Sequence, residues 1–235
     1  MKKNFINYAH RGASEYFPEN TMLSFKKGLE MGANGIETDV QLTKDGIVVL
    51  FHDDTLNRVT GQSGCISDYT YQELLEFNVI KGELKEKITT FEEFLADFAK
   101  ENITFAIELK TTGAAKQTAD IIYKYGAQDK VIITSFQFDA LMGMKKCAPD
   151  LRRGYLHYGL DEKTRAQIVE LELYEICPNG ELISAEEVEE YHQKGYGVRA
   201  WGMANVDIMK DTIEKGVDGM TVNFPDKLTE YLKNK

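Results

Sequence analysis

Paired cysteines are the first thing this sequence lacks. The chain has three, Cys65, Cys147 and Cys177, odd in number and far apart, which excludes a fully bridged disulfide framework. No CxxC spacing offers zinc or redox chemistry, so all three read as ordinary thiols of a reducing compartment. No apolar run approaches the roughly eighteen residues that a membrane helix needs. The N-terminal MKKNFINYAHRG carries two lysines but no apolar core of secretory-leader length, and the expected location is the cytoplasm. A basic surface is missing too: 28 Lys and Arg stand against 38 Asp and Glu, a formal net charge of −10. That balance, with no Lys/Arg run, excludes the clustered positive face that binds a nucleic-acid backbone. Nor is there a Lys-rich amphipathic helix with exposed aromatics to favour stable membrane association. An acidic protein can still take an anionic small molecule where a few cations converge.

What is present is ordinary for a globular chain, with 43% hydrophobic and 28% charged residues, enough for a sizeable core. A length of 235 residues suits one domain over 1–235. The chemistry-bearing side chains crowd into one stretch, Ala9 to Thr60. From Ile36 to Leu42 the residues alternate: Ile36, Thr38, Val40 and Leu42 face one way, Glu37, Asp39 and Gln41 the other, the period of a strand. Glu37 and Asp39 therefore point the same way, about 7 Å apart. Side by side they repel, and a divalent cation is their natural partner. A Glu-x-Asp alone usually marks a solvated sheet face; His10, Arg11 and His52 nearby set this one apart.

Taken in order, Asn4 to Ala9 reads as a strand ending in His10, and Asn20 as the cap of a helix running to Met31. After Ile36 to Leu42, Lys44-Asp45-Gly46 turns the chain, and Ile47 to Phe51 returns as a short strand delivering His52. Residues 53–88 depart from the pattern as a small insertion, with a capping box at Thr70 and Glu73; a second box, Thr90 and Glu93, opens the next helix. Strand Thr104 to Lys110 sets Glu108 and Lys110 on one face. Strands and helices then alternate regularly to a last strand at Gly219 to Val222 and a helix from Pro225. Eight strands, each followed by a helix, are the sequence form of an α/β (β/α)₈ TIM barrel, whose reactive groups gather at the C-terminal ends of the strands. An open doubly wound sheet fits less well, since eight repeats are present and a G-x-G-x-x-G turn is absent.

The pattern HRGAS, PENT, ETDV, DG and HDDTLNRVTG, in order over about fifty residues, resembles the glycerophosphodiester phosphodiesterase family. The resemblance implies hydrolysis of a glycerophosphodiester to glycerol 3-phosphate and an alcohol. It implies Glu37, Asp39 and Glu108 as ligands of Mg²⁺ or Ca²⁺, His10 and His52 as the acid-base pair, and Arg11 and Lys110 as phosphate-binding cations. A further similarity, to phosphatidylinositol phospholipase C barrels, suggests attack by the substrate's own 2-hydroxyl, with a cyclic phosphate between two steps, His10 as base and His52 as acid. RAWGMAN resembles the family's W-x-V-N, making Trp201 a wall against the glycerol moiety or a core side chain. GVDGMTVNFPDKL matches another family segment except that Asn223 stands where Asp is usual. His157, His192, Asp218 and Gly219 read as structural. Two alternatives remain: a lysophospholipid-directed phosphodiesterase on the same barrel, with the 53–88 region deciding at the mouth, and a non-catalytic barrel that binds phosphoesters. The alcohol and the oligomeric state are not legible.

Overall fold

The computed structural model describes residues 5–235; Asn4, where the sequence reading begins the first strand, lies outside them. Eight parallel strands close into a barrel: β1 (Ile6–His10), β2 (Gly35–Leu42), β6 (Thr104–Leu109), β7 (Val131–Ser135), β8 (Arg152–His157), β9 (Glu175–Pro178), β10 (Gly197–Ala200) and β11 (Gly219–Val222). The ring shuts because β1 pairs with β11 on one side and with β2 on the other. Helices α1 (Met22–Glu30), α4 (Phe91–Phe98), α5 (Ala115–Lys124), α6 (Phe138–Cys147), α7 (Glu162–Ile168), α8 (Ala185–Gln193), α9 (Val206–Glu214) and α10 (Pro225–Lys233) follow the eight strands. The outward residues of the strands and the apolar stripes of these helices form the main core. An example is the cluster of Phe25, Phe94, Phe98 and Phe105, whose ring centroids lie as close as 4.9 Å.

The length of β2 shapes the C-terminal end of the barrel. Its first residues pair with β1, while Val40 to Leu42 pair antiparallel with β3 (Val48–Leu50), Gln41 and Leu42 extending past the last pairing with β6. The hairpin thereby returns the chain to the mouth at His52. Residues 53–88 then fold over β3 as a satellite with its own small core of Val49, Phe51, Leu56, Val59, Ile66, Leu74, Val79 and Ile88. It contains two four-residue helices, α2 (Asn57–Thr60) and α3 (Tyr71–Leu74), and a hairpin of β4 (Val79–Lys81) and β5 (Leu84–Glu86). The sequence reading placed the capping box of α3 correctly and missed the hairpin, whose strands are three residues each and carry little periodicity. The box at Thr90 and Glu93 opens α4, and Ser184 with Glu187 opens α8. The expected cap at Asn20 is not one: Thr21 accepts from the Ser24 amide and caps α1.

Inside the barrel, below the mouth, the filling is polar. The Arg199 guanidinium donates to Glu175 at 2.8 Å and to Thr221 at 2.8 Å, and lies 5.2 Å from the Tyr8 ring centroid. Gly154 leaves the space: a Cβ there would come within 2.8 Å of Glu175 Cγ.

His157 is buried between β8 and the helix layer with neither ring nitrogen hydrogen-bonded, its ring centroid 6.3 Å from that of Tyr191. Burial, and secondarily the Arg165 charge, pull its pKa down to about 4. In the unfolded chain the ring protonates below about pH 6.5, so stability is full above that and is lost as pH falls towards 4. His157→Phe should therefore lose less stability than the parent between pH 7 and pH 4.5, by ~2 kcal/mol in chemical denaturation. Equal pH slopes would contradict this.

Candidate active site

Adjacent strand ends bring the acids together. Asp39 of β2 is in register with Glu108 of β6, and Glu37 of β2 with His10 of β1. Ligand oxygens of Glu37, Asp39 and Glu108 all lie within 4.8 Å of one another, and the three side chains are buried. Two cations flank them. Arg11 Nε stands 3.3 Å from Asp39, and Lys110 Nζ stands 2.9 Å from Glu108 and 3.9 Å from Asp39. Lys110 follows directly after β6, so it rises from the face that carries Glu108.

The electrostatics are those of three acids confined without enough positive charge. Burial, then the Asp39 charge, push Glu37 well above the usual carboxylate range and raise Glu108 in the same direction. Asp39 is held low: burial would raise it, but Arg11, His52 and Lys110 and the Asn20 amide favour its anion. Its Oδ1 is buried with no hydrogen-bond partner. Three convergent carboxylates, one buried oxygen unsatisfied and no sulfur or imidazole in the set fit a hard divalent cation.

The two imidazoles reach the same cavity from different elements. His10 ends β1; its Nδ1 lies 2.5 Å from Asn223 Oδ1, just beyond β11, and its Nε2 lies 3.8 Å from Glu37. The Asn223 oxygen also accepts from Ser14 at 3.0 Å. Burial first, and the Arg11 charge second, lower the His10 pKa, which keeps the ring neutral. His52 has its Nδ1 2.7 Å from the Asp53 carboxylate. Its backbone is fixed from below by Gln41, whose amide donates to the carbonyls of Phe51, His52 and Asp53 at 3.0, 3.3 and 2.8 Å.

The sharp turn after β1 makes this geometry possible. Arg11 has φ +54° and Gly12 φ +81°; a Cβ on Gly12 would fall 2.4 Å from the Ser24 backbone, so only glycine lets the loop lie against α1. Arg11 takes the left-handed conformation at some cost, and its amide donates to the Glu37 carbonyl at 2.9 Å.

The cavity, about 350 Å³, is lined on one side by His10, Arg11, Glu37, His52 and Glu108 and on the other by Phe136, Leu156, Tyr158, Trp201 and Met203. Trp201 is half-buried; its indole N–H donates to the Cys177 carbonyl at 3.0 Å, and its ring packs edge-on against Tyr158 and Phe136. It faces the cavity and packs against its neighbours at once.

All eight expected site residues, His10, Arg11, Glu37, Asp39, His52, Glu108, Lys110 and Trp201, meet around this one volume, with Asp39 and Lys110 close behind the lining. Of the residues set aside as structural, His192 bonds Asp218 at 3.0 Å on the outer layer, and His157, the last residue of β8, is buried beside Tyr191 and does not line the cavity. The sequence reading missed the supporting side chains. Gln41 carried a usable signal, being third on the face of Glu37 and Asp39. Asn20 and Asp53 lay inside PENT and HDDT, yet nothing along the chain says which atoms they meet.

Comparison with known proteins agrees. The model of the glycerophosphoryl diester phosphodiesterase family matches residues 10–227. A Bacillus subtilis protein, the uncharacterized YqiK, is 34% identical over 97% of this chain and 98% of its own. A glycerophosphodiester phosphodiesterase of Caldanaerobacter subterraneus subsp. tengcongensis is 34% identical over 96% of each. An Oleispira antarctica phosphodiesterase, solved in complex with the product sn-glycerol-3-phosphate, superposes with a TM-score of 0.88 at 25% identity, over 97% of this chain and 96% of that one.

Asn20, in the left-handed region at φ +57°, donates to Asp39 at 2.9 Å and accepts from Thr38 at 2.8 Å, all buried. Asn20→Ala strands both partners and should cost about 1–3 kcal/mol in denaturant unfolding. A change under about 0.5 kcal/mol, the usual size for a surface substitution, would show that the amide does not hold Asp39.

Proposed function

The chain belongs to the glycerophosphoryl diester phosphodiesterase family and is an enzyme that hydrolyses glycerophosphodiesters; from that premise we propose that Glu37, Asp39 and Glu108 hold a divalent cation and that His10 and His52 move the protons. The supporting observation is the convergence of those three carboxylate oxygens within 4.8 Å beside both imidazoles. The all-oxygen donor set favours Mg²⁺ or Ca²⁺. Bound there, the cation would supply positive charge to the phosphoryl oxygens.

The chain's own groups do the rest. Arg11 offers a planar fork and Lys110 a point charge to the phosphodiester anion. Asn223 occupies His10 Nδ1, leaving Nε2 in the cavity as an acceptor. A neutral His10 suits a base, and it takes the proton from the substrate's 2-hydroxyl as that oxygen attacks phosphorus. His52, with Asp53 accepting from Nδ1–H, gives the Nε2 proton to the departing alkoxide as the P–O bond breaks. Water then opens the five-membered cyclic phosphate with the roles reversed: His52 accepts a proton from water, and His10 returns one to the glycerol oxygen. Both rings end as they began. The apolar wall of Phe136, Leu156, Tyr158 and Trp201 limits water around the substrate's carbon chain. Three free thiols suit a reducing compartment, and we place the enzyme in the cytoplasm. Among the described residues no helix is long and apolar enough to cross a membrane.

A binding-only barrel has no need of two imidazoles supported by side-chain acceptors, and that reading is not favoured. Substituting His10→Gln or His52→Gln separately should lower kcat on glycerophosphodiesters by about 10²–10⁴-fold while cation-induced thermal stabilisation persists. Retained turnover in both would remove the acid-base pair. Chelation should abolish activity and Mg²⁺ or Ca²⁺ restore it, with Asp39→Asn unresponsive. A diester lacking the glycerol 2-hydroxyl should not turn over; cleavage at the normal rate would rule out the cyclic route.

A further inference from the structure

Arg58 stands outside the barrel on α2, yet its guanidinium grips two carboxylates at once. Nε and Nη2 donate to the two oxygens of Asp53 at 2.6 and 2.9 Å, and Nη1 and Nη2 donate to the two oxygens of Glu19 at 2.7 Å each. Glu19, from the loop after β1, also accepts from Arg11 at 3.0 Å. Asp53 in turn holds His52 at 2.7 Å, and Arg11 stands 3.3 Å from Asp39. Anions and cations therefore alternate without a break through Asp39, Arg11, Glu19, Arg58 and Asp53, and Asp53 bonds the His52 ring, which links an acid of the cluster to an imidazole across the cavity.

We propose that Glu19 and Arg58 are positioning residues that tie Arg11 to His52, so that the loop after β1 and the satellite after β3 present the phosphate-binding cation and the proton donor as one unit. An isolated surface ion pair is worth little, and the Arg58 side chain is 50% exposed, but the carboxylates it joins are only 16% and 22% exposed. Bidentate bonding on both sides fixes the plane of each carboxylate as well as its place. The acids respond accordingly. Burial would raise Glu19, but the Arg58 and Arg11 bonds and charges hold it low, and the Arg58 hydrogen bonds bring Asp53 down to about 2. Glu19 and Arg58 touch neither the reacting atoms nor the cation ligands. They act through Arg11 and Asp53, where a small displacement of a catalytic group is costly in rate.

This inference rests on the acid-base role of His52, so the test carries that role as a control. Full-length Arg58→Ala, Arg58→Lys, Glu19→Gln and the Glu19→Gln/Arg58→Ala double variant are compared with His52→Gln in steady-state kinetics and thermal melts. Arg58→Ala should melt within a few degrees of the parent and lose roughly 10- to 100-fold in kcat, with KM changing less. Guanidinium ion, which can enter the half-exposed site, should recover part of the loss, whereas sodium chloride of equal ionic strength should not. Arg58→Lys should remain impaired, because an ammonium cannot span both forks. The double variant should be no slower than its slower parent, since both changes break one connection. An unchanged kcat in folded Arg58→Ala, loss that tracks unfolding with no guanidinium rescue, or additive losses in the double variant would overturn the proposal. If Arg58→Ala does not fold, Arg58→Lys and Glu19→Gln decide it by the same kcat criterion. Turnover by His52→Gln at the parent rate would sink the acid-base reading itself; an inactive His52→Gln beside a fully active Arg58→Ala would sink only the positioning role.

Discussion

Three carboxylates in one buried volume repel each other, and most of what surrounds the mouth of this barrel answers that repulsion. Parallel register alone sets Asp39 of β2 beside Glu108 of β6, and the two-residue period adds Glu37 to the same face. Folding confines all three away from water, which is unfavourable for acids left unpaired. Arg11, Lys110 and the Asn20 amide stabilise Asp39, while Glu37 and Glu108 are left raised. Positive charge is locally short around these acids, and the divalent cation proposed there would restore it.

The supporting structure is arranged so that the turn at Arg11 and both imidazoles are held from outside the cavity. The left-handed turn at Arg11 and Gly12 aims the loop after β1; Asn223 takes the far nitrogen of His10; Gln41 fastens the backbone at His52; Asp53 takes that ring's far nitrogen. Apart from Asp53, the next residue after His52, each partner comes from a different element. The extension of β2 past its last pairing with β6 creates the place for β3, and β3 carries both His52 and the satellite that supplies Arg58. The departure of residues 53–88 from simple strand-helix alternation is thus linked directly to the site.

Local pattern and order were legible in the sequence. The barrel follows from eight strand-helix repeats, and the last strand, at Gly219–Val222, lies where the sequence puts it. The capping boxes at Thr70 and Thr90 were readable because both partners sit within four residues. Glu37 and Asp39 were readable because alternation fixes a shared face. Asn20 was misread, since an Asn before an apolar helix satisfies the capping rule as well as Thr21 does, and only the position of Asp39 in space shows why its amide is used elsewhere. Arg58 and Glu19, 39 residues apart, meet through tertiary folding, and no periodicity announces such a pair.

The central claim, that Glu37, Asp39 and Glu108 share one divalent cation, is tested most directly by crystals of the protein equilibrated with Mn²⁺, a redox-stable oxygen-seeking ion with a usable anomalous signal. The account predicts a strong anomalous peak within about 2.5 Å of an oxygen from each of the three carboxylates, open towards the cavity between His10 and His52. No peak at saturating Mn²⁺, or a peak bound elsewhere with these carboxylates still paired only to Arg11 and Lys110, would contradict it.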